Sequence, residues 1–304
     1  MLDQSHRDLE LVIVNGGSPE DLKSVVNRFH DDRIRYFEHE VAPDEHAVVR
    51  NWNQCLNLAR GELFALLGDD DRYERDFVER MVSLRSKYNS VSIVHSRVRV
   101  IDENGRTATY SPLCPEWESG LEFLWHRVKD LRLLYICEFL FTTADLRGLG
   151  GFVDFPLAWG SDEATCFTLA LRGGIAYDQR PMCNWRKSTL NISYLAQFET
   201  RLKAVKQLEQ WFESFVETIT PSSEDEDIIL SYVKSNCGHR FENLRTDALV
   251  REARLHRSPI LWAVTKGIRT NKVYGLSARV TVKVLLYLLS LHPYTRSSFD
   301  SVAN

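Results

Sequence analysis

Three consecutive carboxylates, Asp69-Asp70-Asp71, close a segment that starts at Glu62, is apolar from Leu63 to Leu67 and passes through Gly68. A short apolar run bounded by glycine reads as a buried strand, and its polar end delivers the acids to the crevice at the carboxyl edge of an α/β sheet. Adjacent carboxylates repel one another, which favours a cation among them. Oxygen-only donors suit a hard divalent ion, Mn²⁺ or Mg²⁺, which keeps waters and completes its shell with phosphate oxygens of a substrate. The chemistry indicated is the handling of a diphosphate. A plainer reading has equal weight from the acids alone: a solvated turn ahead of a helix over Asp76 to Tyr88, whose first turn favours Asp and Glu. An EF-hand loop is excluded, because Glu74 stands where that loop requires glycine.

A further acid, Asp162, lies in Trp159-Gly160-Ser161-Asp162-Glu163, just ahead of a helix over Ala164 to Arg172 with Ser161 as its expected cap. A general base must stay clear of any metal and reach the proton of a nucleophile, so a carboxylate on a separate element is reasonably placed. Helix capping alone explains Asp162 slightly better.

The elements that must position these acids follow from periodicity. Leu9 to Val14 reads as a strand ending at Asn15-Gly16-Gly17-Ser18, with Ser18 expected to cap a helix that starts at Pro19 and runs to Phe29. Ile34 to Phe37 is the next strand, and Glu45 to Leu58 a helix carrying Arg50-Asn51-Trp52-Asn53, with Gly61 expected just past its end. Val91 to Ile101 alternates as a half-exposed strand that turns at Asp102-Glu103-Asn104-Gly105; Cys137 to Thr143 is a buried strand, Ile175 to Tyr177 a short one, and Pro181 to Ser193 is extended. Strands alternating with helices predict an α/β fold: a doubly wound, mainly parallel sheet flanked by helices. From Leu195 to Ile219 apolar residues recur at helical period, and Ser222-Ser223-Glu224-Asp225-Glu226-Asp227 starts another helix, so the carboxy-terminal region is expected to be all-helical. The expected domains are 1–195 and 196–304.

The chain has 304 residues, 44% hydrophobic, with a formal charge of −4, which gives no overall signal for nucleic acid. Charge is unevenly placed: from Arg251 to Asn304 there are nine Lys and Arg against two acids. That basic tail hints at a polyanionic partner, such as a membrane face. Val280 to Leu291 is too short to span a bilayer and is expected as a core helix, with an interfacial helix as the alternative. Six cysteines at 55, 114, 137, 166, 183 and 237 show no zinc or disulfide spacing and read as reduced thiols of a cytoplasmic protein.

Leu9 to Ser18, the Asp31-Asp32-Arg33-Ile34-Arg35 segment, Asn51-Trp52-Asn53, Ala59-Arg60-Gly61-Glu62 and Leu67 to Asp71 together resemble the nucleotide-sugar domain of family 2 glycosyltransferases with the GT-A fold, in family order and spacing. Ser161-Asp162 with Leu171-Arg172, and Pro181 to Arg186 with Ser188 and Asn191-Ile192-Ser193, resemble the acceptor half. The resemblance implies inverting transfer of a sugar from a nucleoside-diphosphate donor to a saccharide or lipid-linked acceptor, in bacterial surface-polysaccharide or glycolipid synthesis at the inner membrane face. It implies Asp162 as catalytic base, Asp70 and Asp71 as ligands of Mn²⁺ or Mg²⁺, and a donor site drawn from Asn15, Gly17, Ser18, Arg50, Asn51, Asp69 and Asp70. Trp159, Glu163 and Arg186 fall on the acceptor side.

Three departures accompany it. Gly68 replaces the usual first Asp of the acidic motif, and Asn15-Gly16 replace two aspartates, of which Asn15 alone can still hydrogen-bond a donor. Residues 4 to 10 resemble the end of the family's first helix, so the first strand and most of that helix are expected to be missing from this sequence. An inactive remnant or a sugar-nucleotide-binding module is therefore the runner-up. A nucleotidyltransferase would need a Gly-rich basic phosphate loop near the amino terminus, and none is present.

Overall fold

A computed structural model describes residues 1–39, 44–188, 191, 197–274 (side chains to 266) and 277–289. These form two compact units: Met1–Phe123 with Leu134–Ser188, and Leu124–Leu133 with the described residues beyond Ser188.

In the first unit, β1 (Leu11–Asn15) and β2 (Ile34–Glu38) pair in parallel, Leu11 opposite Ile34 and Asn15 opposite Glu38. The connection carries α1 (Leu22–Val26), shorter than expected. Its cap is Asp21, whose carboxylate accepts from Ser24 N, whereas Ser18 only receives Glu20 N. A carboxylate at the first helical turn outcompetes the earlier serine. Then come α2 (Ala47–Leu58), β3 (Leu63–Phe64), β4 (Arg72–Tyr73), α3 (Phe77–Lys87), β5 (Ile93–Ile101), β6 (Thr107–Tyr110), β7 (Trp117–Glu118), α4 (Gly120–Val128, whose residues from Leu124 belong to the second unit), β8 (Phe139–Thr142), α5 (Thr143–Gly148), α6 (Ser161–Ala170) and β9 (Ile175–Arg186). Helix α2 closes at Ala59 in an extended conformation, so Gly61 is not its terminating residue; the Glu10 carboxylate receives the N–H groups of Arg60 and Gly61.

The main sheet has seven strands in the order β3-β8-β5-β9-β4, with β6 on β5 and β7 on β9. It is mixed. The expected parallel character survives in the long β5–β9 and β1–β2 ladders, but the five shorter pairings are antiparallel because β4, β6, β7 and β8 run back along a neighbour. β1 and β2 form a separate two-stranded sheet, and no residue of β1 is fully buried.

Strand β5 is mostly buried rather than half-exposed, since the sheet is covered on both faces. Val94 joins Phe77, Met81, Val91, Leu140, Ala176 and Met182 on the α3 side. On the other, His95 stacks on Phe139, and Phe141 meets Phe152 edge to face. Strand β9 is one continuous element of 12 residues where two segments were expected; it pairs along β5 with register shifts at Ser96/Arg97 and Arg97/Val98.

The second unit is helical, as expected: α7 (Phe198–Glu217), α8 (Glu224–Arg254), α9 (Pro259–Tyr274) and α10 (Ala278–Leu288). Ser223 caps α8 by accepting from Glu226 N, with four acids in the first turn. The core joins Phe198 and Leu202 to Leu249, Val250, Ala253, Ala263, Val280 and Val284. Val280 and Val284 are thus inside, which makes α10 a core helix. Ile192, Ser193, Leu195 and the tail from 290 onward lie outside the described residues.

Candidate functional site

Only Leu63 and Phe64 of the expected strand are laddered; Ala65 to Asp71 run as a loop into β4. This loop is held from outside. The Arg186 backbone N–H donates to Asp71 Oδ1 at 2.8 Å, and the Arg186 guanidinium donates to the carbonyls of Asp70, Asp102 and Glu103, each at 3.0 Å. Arg186, expected on the acceptor side, therefore ties the acids to the β5–β6 turn. That turn matches its expectation: Asp102 Oδ1 receives Asn104 N and Arg106 N, and Gly105 takes the positive φ of 80°.

Gly68 has a steric reason. A Cβ built there would lie 3.1 Å from Asp70 Oδ1 and 3.2 Å from Asp71 Oδ2, so the two carboxylates converge over the bare glycine. A side chain at 68 would require the two carboxylates to give by a few tenths of an ångström. Burial pushes the Asp71 carboxyl up to about 6, against the Arg186 N–H, with the neighbouring Asp70 and Asp69 adding to the rise. Asp70 is raised as well, by burial and then by Asp69, with the Arg186 charge opposing. Two raised, converging carboxylates favour a bound cation. Oxygen-only donors of this kind fit a hard divalent ion sharing its shell with water and phosphate. No group of three or more His, Cys, Asp or Glu able to hold a metal occurs among the described residues.

Behind Asp71 lies a feature that no sequence pattern pointed to. The Cys137 thiol donates to the Asp71 carboxylate, and the Cys183 thiol lies 3.1 Å from Cys137 Sγ. Burial pushes both thiols up, which keeps them as neutral donors. Their spacing of 46 residues carries no motif, so only the fold reveals the pair.

The β1–α1 loop is built differently. Asn15 Oδ1 receives the N–H groups of Gly17 and Ser18, at 3.1 and 2.9 Å, and its Nδ2 donates to the Tyr36 hydroxyl. Asn51 reaches this loop from α2: a Cβ on Gly16 would meet its side-chain amide at 3.2 Å. Asn51 Oδ1 is buried with no hydrogen-bond partner among the described residues. Arg50 pairs with Asp44.

Asp162 occupies the first turn of α6 and receives the N–H of Glu163 at 2.8 Å. The cap is Gly160 at φ 83°, in place of Ser161, because the Ser161 hydroxyl receives Phe155 N. Trp159 follows two non-glycine residues at positive φ, Leu157 (60°) and Ala158 (57°), a strained approach of the kind that clusters at functional sites. Glu163 is buried. The approach is fastened to α2 and the residues just ahead of it: Leu157 N donates to the Glu45 carbonyl, His46 pairs with Asp154, and Asn53 receives Phe152 N at 2.8 Å. The fold thus links the segment ahead of Asp162 to α2, and links Arg186 to the acid loop.

Residues 1–143 match the family described as Glycosyl transferase family 2, a segment that includes the acid loop and ends before Asp162. An uncharacterized glycosyltransferase of Rickettsia felis is 31% identical over 111 residues, 36% of this chain and 18% of that protein. A second, of Rickettsia bellii, is 27% identical over 107 residues, 35% of this chain and 15% of that protein. The aligned segment thus spans under a fifth of either relative. Among solved structures, S. aureus TarS 1-349 in complex with UDP-GlcNAc is similar at a TM-score of 0.63 and 13% identity, covering 97% of this chain and 86% of that one. Mannosyltransferase PcManGT from Pyrobaculum calidifontis, in complex with GDP-Man and Mn²⁺, is similar at a TM-score of 0.51 and 17% identity, covering 95% and 79%. The fold shared with these structures over nearly all of the chain is the α/β GT-A fold, and residues 1–143, the segment that carries the acid loop, match glycosyl transferase family 2.

Proposed function

We propose that the protein transfers a sugar from a nucleoside-diphosphate donor to an acceptor hydroxyl, with inversion, assisted by a divalent metal. One observation carries the reading: Asp70 and Asp71 converge over Gly68 in a loop whose position is set by Arg186. Asp70 and Asp71 would hold Mn²⁺ or Mg²⁺, which when bound offsets the charge that develops on a departing diphosphate. Asn51, with its unpartnered amide oxygen, and the Asn15 to Ser18 loop receive the nucleoside, and Asp69 adds an acceptor for ribose hydroxyls. Asp162 takes the proton from the acceptor hydroxyl as that oxygen attacks the anomeric carbon opposite the diphosphate. Trp159 and Glu163 serve the acceptor side, and Arg50 belongs with the donor groups. UDP-GlcNAc and GDP-mannose, bound by similar proteins, are the first donors to try. The acceptor is a saccharide or a lipid-linked one, and the setting is surface-polysaccharide or glycolipid synthesis at the inner membrane face.

The test pairs calorimetry with turnover. Binding of UDP or GDP should require Mn²⁺, and Asp162→Asn should lower sugar transfer by about 10²–10⁴-fold while donor binding stays unchanged. Absence of metal-dependent nucleotide binding overturns the reading. Binding without turnover in the unmodified chain would instead favour a sugar-nucleotide-binding module, which the neutral Asn15-Gly16 pair supports.

A further inference from the structure

The corner between α8 and α9 concentrates two properties that rarely coincide on an otherwise acidic chain. Leu255 is 79% exposed and Leu261 65%, with Ile260 also open to solvent. Ser258, Pro259, Ile260, Leu261 and Val264 line a shallow depression there. Arg254 and Arg257 are exposed beside these leucines. The amino-terminal 250 residues carry 29 Lys and Arg against 40 acids, whereas from Arg254 to Val264 there are two arginines and no acid. The sequence had offered Val280 to Leu291 as the interfacial candidate, but Val280 and Val284 are buried against α8 and α9. The apolar surface left open lies at the other end of the preceding helix.

We propose that the α8–α9 corner, Arg254 to Val264, is the protein's membrane-docking surface, with the headgroup region of an anionic phospholipid bilayer as its occupant. Leucines projecting from a helix–helix corner, flanked by arginines, match the requirements of monotopic insertion: apolar side chains enter the headgroup boundary and guanidinium groups stay at the phosphates. The basic charge selects anionic lipid. A cavity-seeking protein partner would find only a shallow depression. The proposal deepens the membrane-face reading above without depending on the transfer chemistry.

Vesicle flotation of the full chain tests it. Vesicles of phosphatidylcholine with about 30% phosphatidylglycerol should retain the protein about tenfold better than phosphatidylcholine alone, and raised salt should weaken retention. The double variant Leu255→Asp/Leu261→Asp should fall to the phosphatidylcholine level, and Arg257→Glu should fall part of the way. Circular dichroism and Mn²⁺-dependent nucleotide binding should match the unmodified chain in both variants, since neither touches the acid loop. Equal retention on both vesicles, or a double variant that floats like the unmodified chain, overturns the proposal. So does a dimer in analytical ultracentrifugation that the double variant dissociates, because a second copy would then occupy the corner. Asp71→Asn should float normally, which separates this outcome from failure of the transferase reading.

Discussion

Two loops that follow strands present polar groups, and the chain builds them by opposite means. The Asn15 to Ser18 loop is held by itself: one amide side chain satisfies two N–H groups within three residues. The Gly68 to Asp71 loop is held by a residue about 115 positions away, through two hydrogen bonds from Arg186, whose guanidinium also donates to two carbonyls of the β5–β6 turn. The difference is one of charge. A neutral loop needs only its own dipoles satisfied, whereas carboxylates that repel must be fixed by groups from another element.

The largest test of this contrast removes the held charge. Asp71→Asn should lower transfer by about 10³-fold, as loss of a metal ligand, and yet stabilise the fold above neutral pH. The sign follows from the raised carboxyl. An Asp that titrates at about 6 when folded and 3.8 when unfolded favours the folded state fully below the lower value, and loses that contribution as pH rises through the higher one. Thermal unfolding should therefore show Asp71→Asn more stable by about 1–2 kcal/mol at pH 8 and equal to the unmodified chain near pH 4. A variant that is less stable at pH 8 would mean that the carboxylate is already well compensated.

Removing the remote tie comes next. Arg186→Ala takes charge-assisted donors from the carbonyls of Asp70, Asp102 and Glu103 and should weaken Mn²⁺-dependent nucleotide binding about tenfold, with a stability loss of about 1.5–3 kcal/mol. Arg186→Lys keeps the charge but cannot span three carbonyls, so it should recover less than half of the loss. Full recovery by lysine would reduce the tie to simple electrostatics. A smaller effect should appear in titration: because Asp71 must lose a proton to bind metal, Mn²⁺ affinity should fall as pH drops below about 6.

The contrast also explains what could be read before the fold was known. The Asn15 loop, the Asp102 to Gly105 turn and the Ser223 cap are local devices, visible as residue types at short spacing. The acids were visible as a cluster, and their place in a family of motifs gave the fold. What could not be read was set by packing: the Arg186 tie, the Cys137 thiol on Asp71, and the shift of capping from Ser161 to Gly160. In each case the deciding partner is supplied by packing. Gly68 looked like a lost aspartate, and the space it leaves for two carboxylates has no signature in sequence.

Asn15→Ala gives the smallest expected effect and the sharpest check on the self-held loop. Its side chain satisfies Gly17 N and Ser18 N and reaches the Tyr36 hydroxyl, so its loss leaves two exposed N–H groups that water can serve. Stability should fall by about 0.5–1.5 kcal/mol, and the donor KM should rise a few-fold with kcat unchanged, since a loop that touches only the nucleoside contributes equally to ground and transition states. Asn15→Asp keeps both acceptor bonds and should retain the stability, separating the turn's own requirement from any direct contact of the amide with donor. If kcat fell along with affinity, the loop would be acting on the acid site, and the division between a self-held neutral loop and a remotely held charged one would fail.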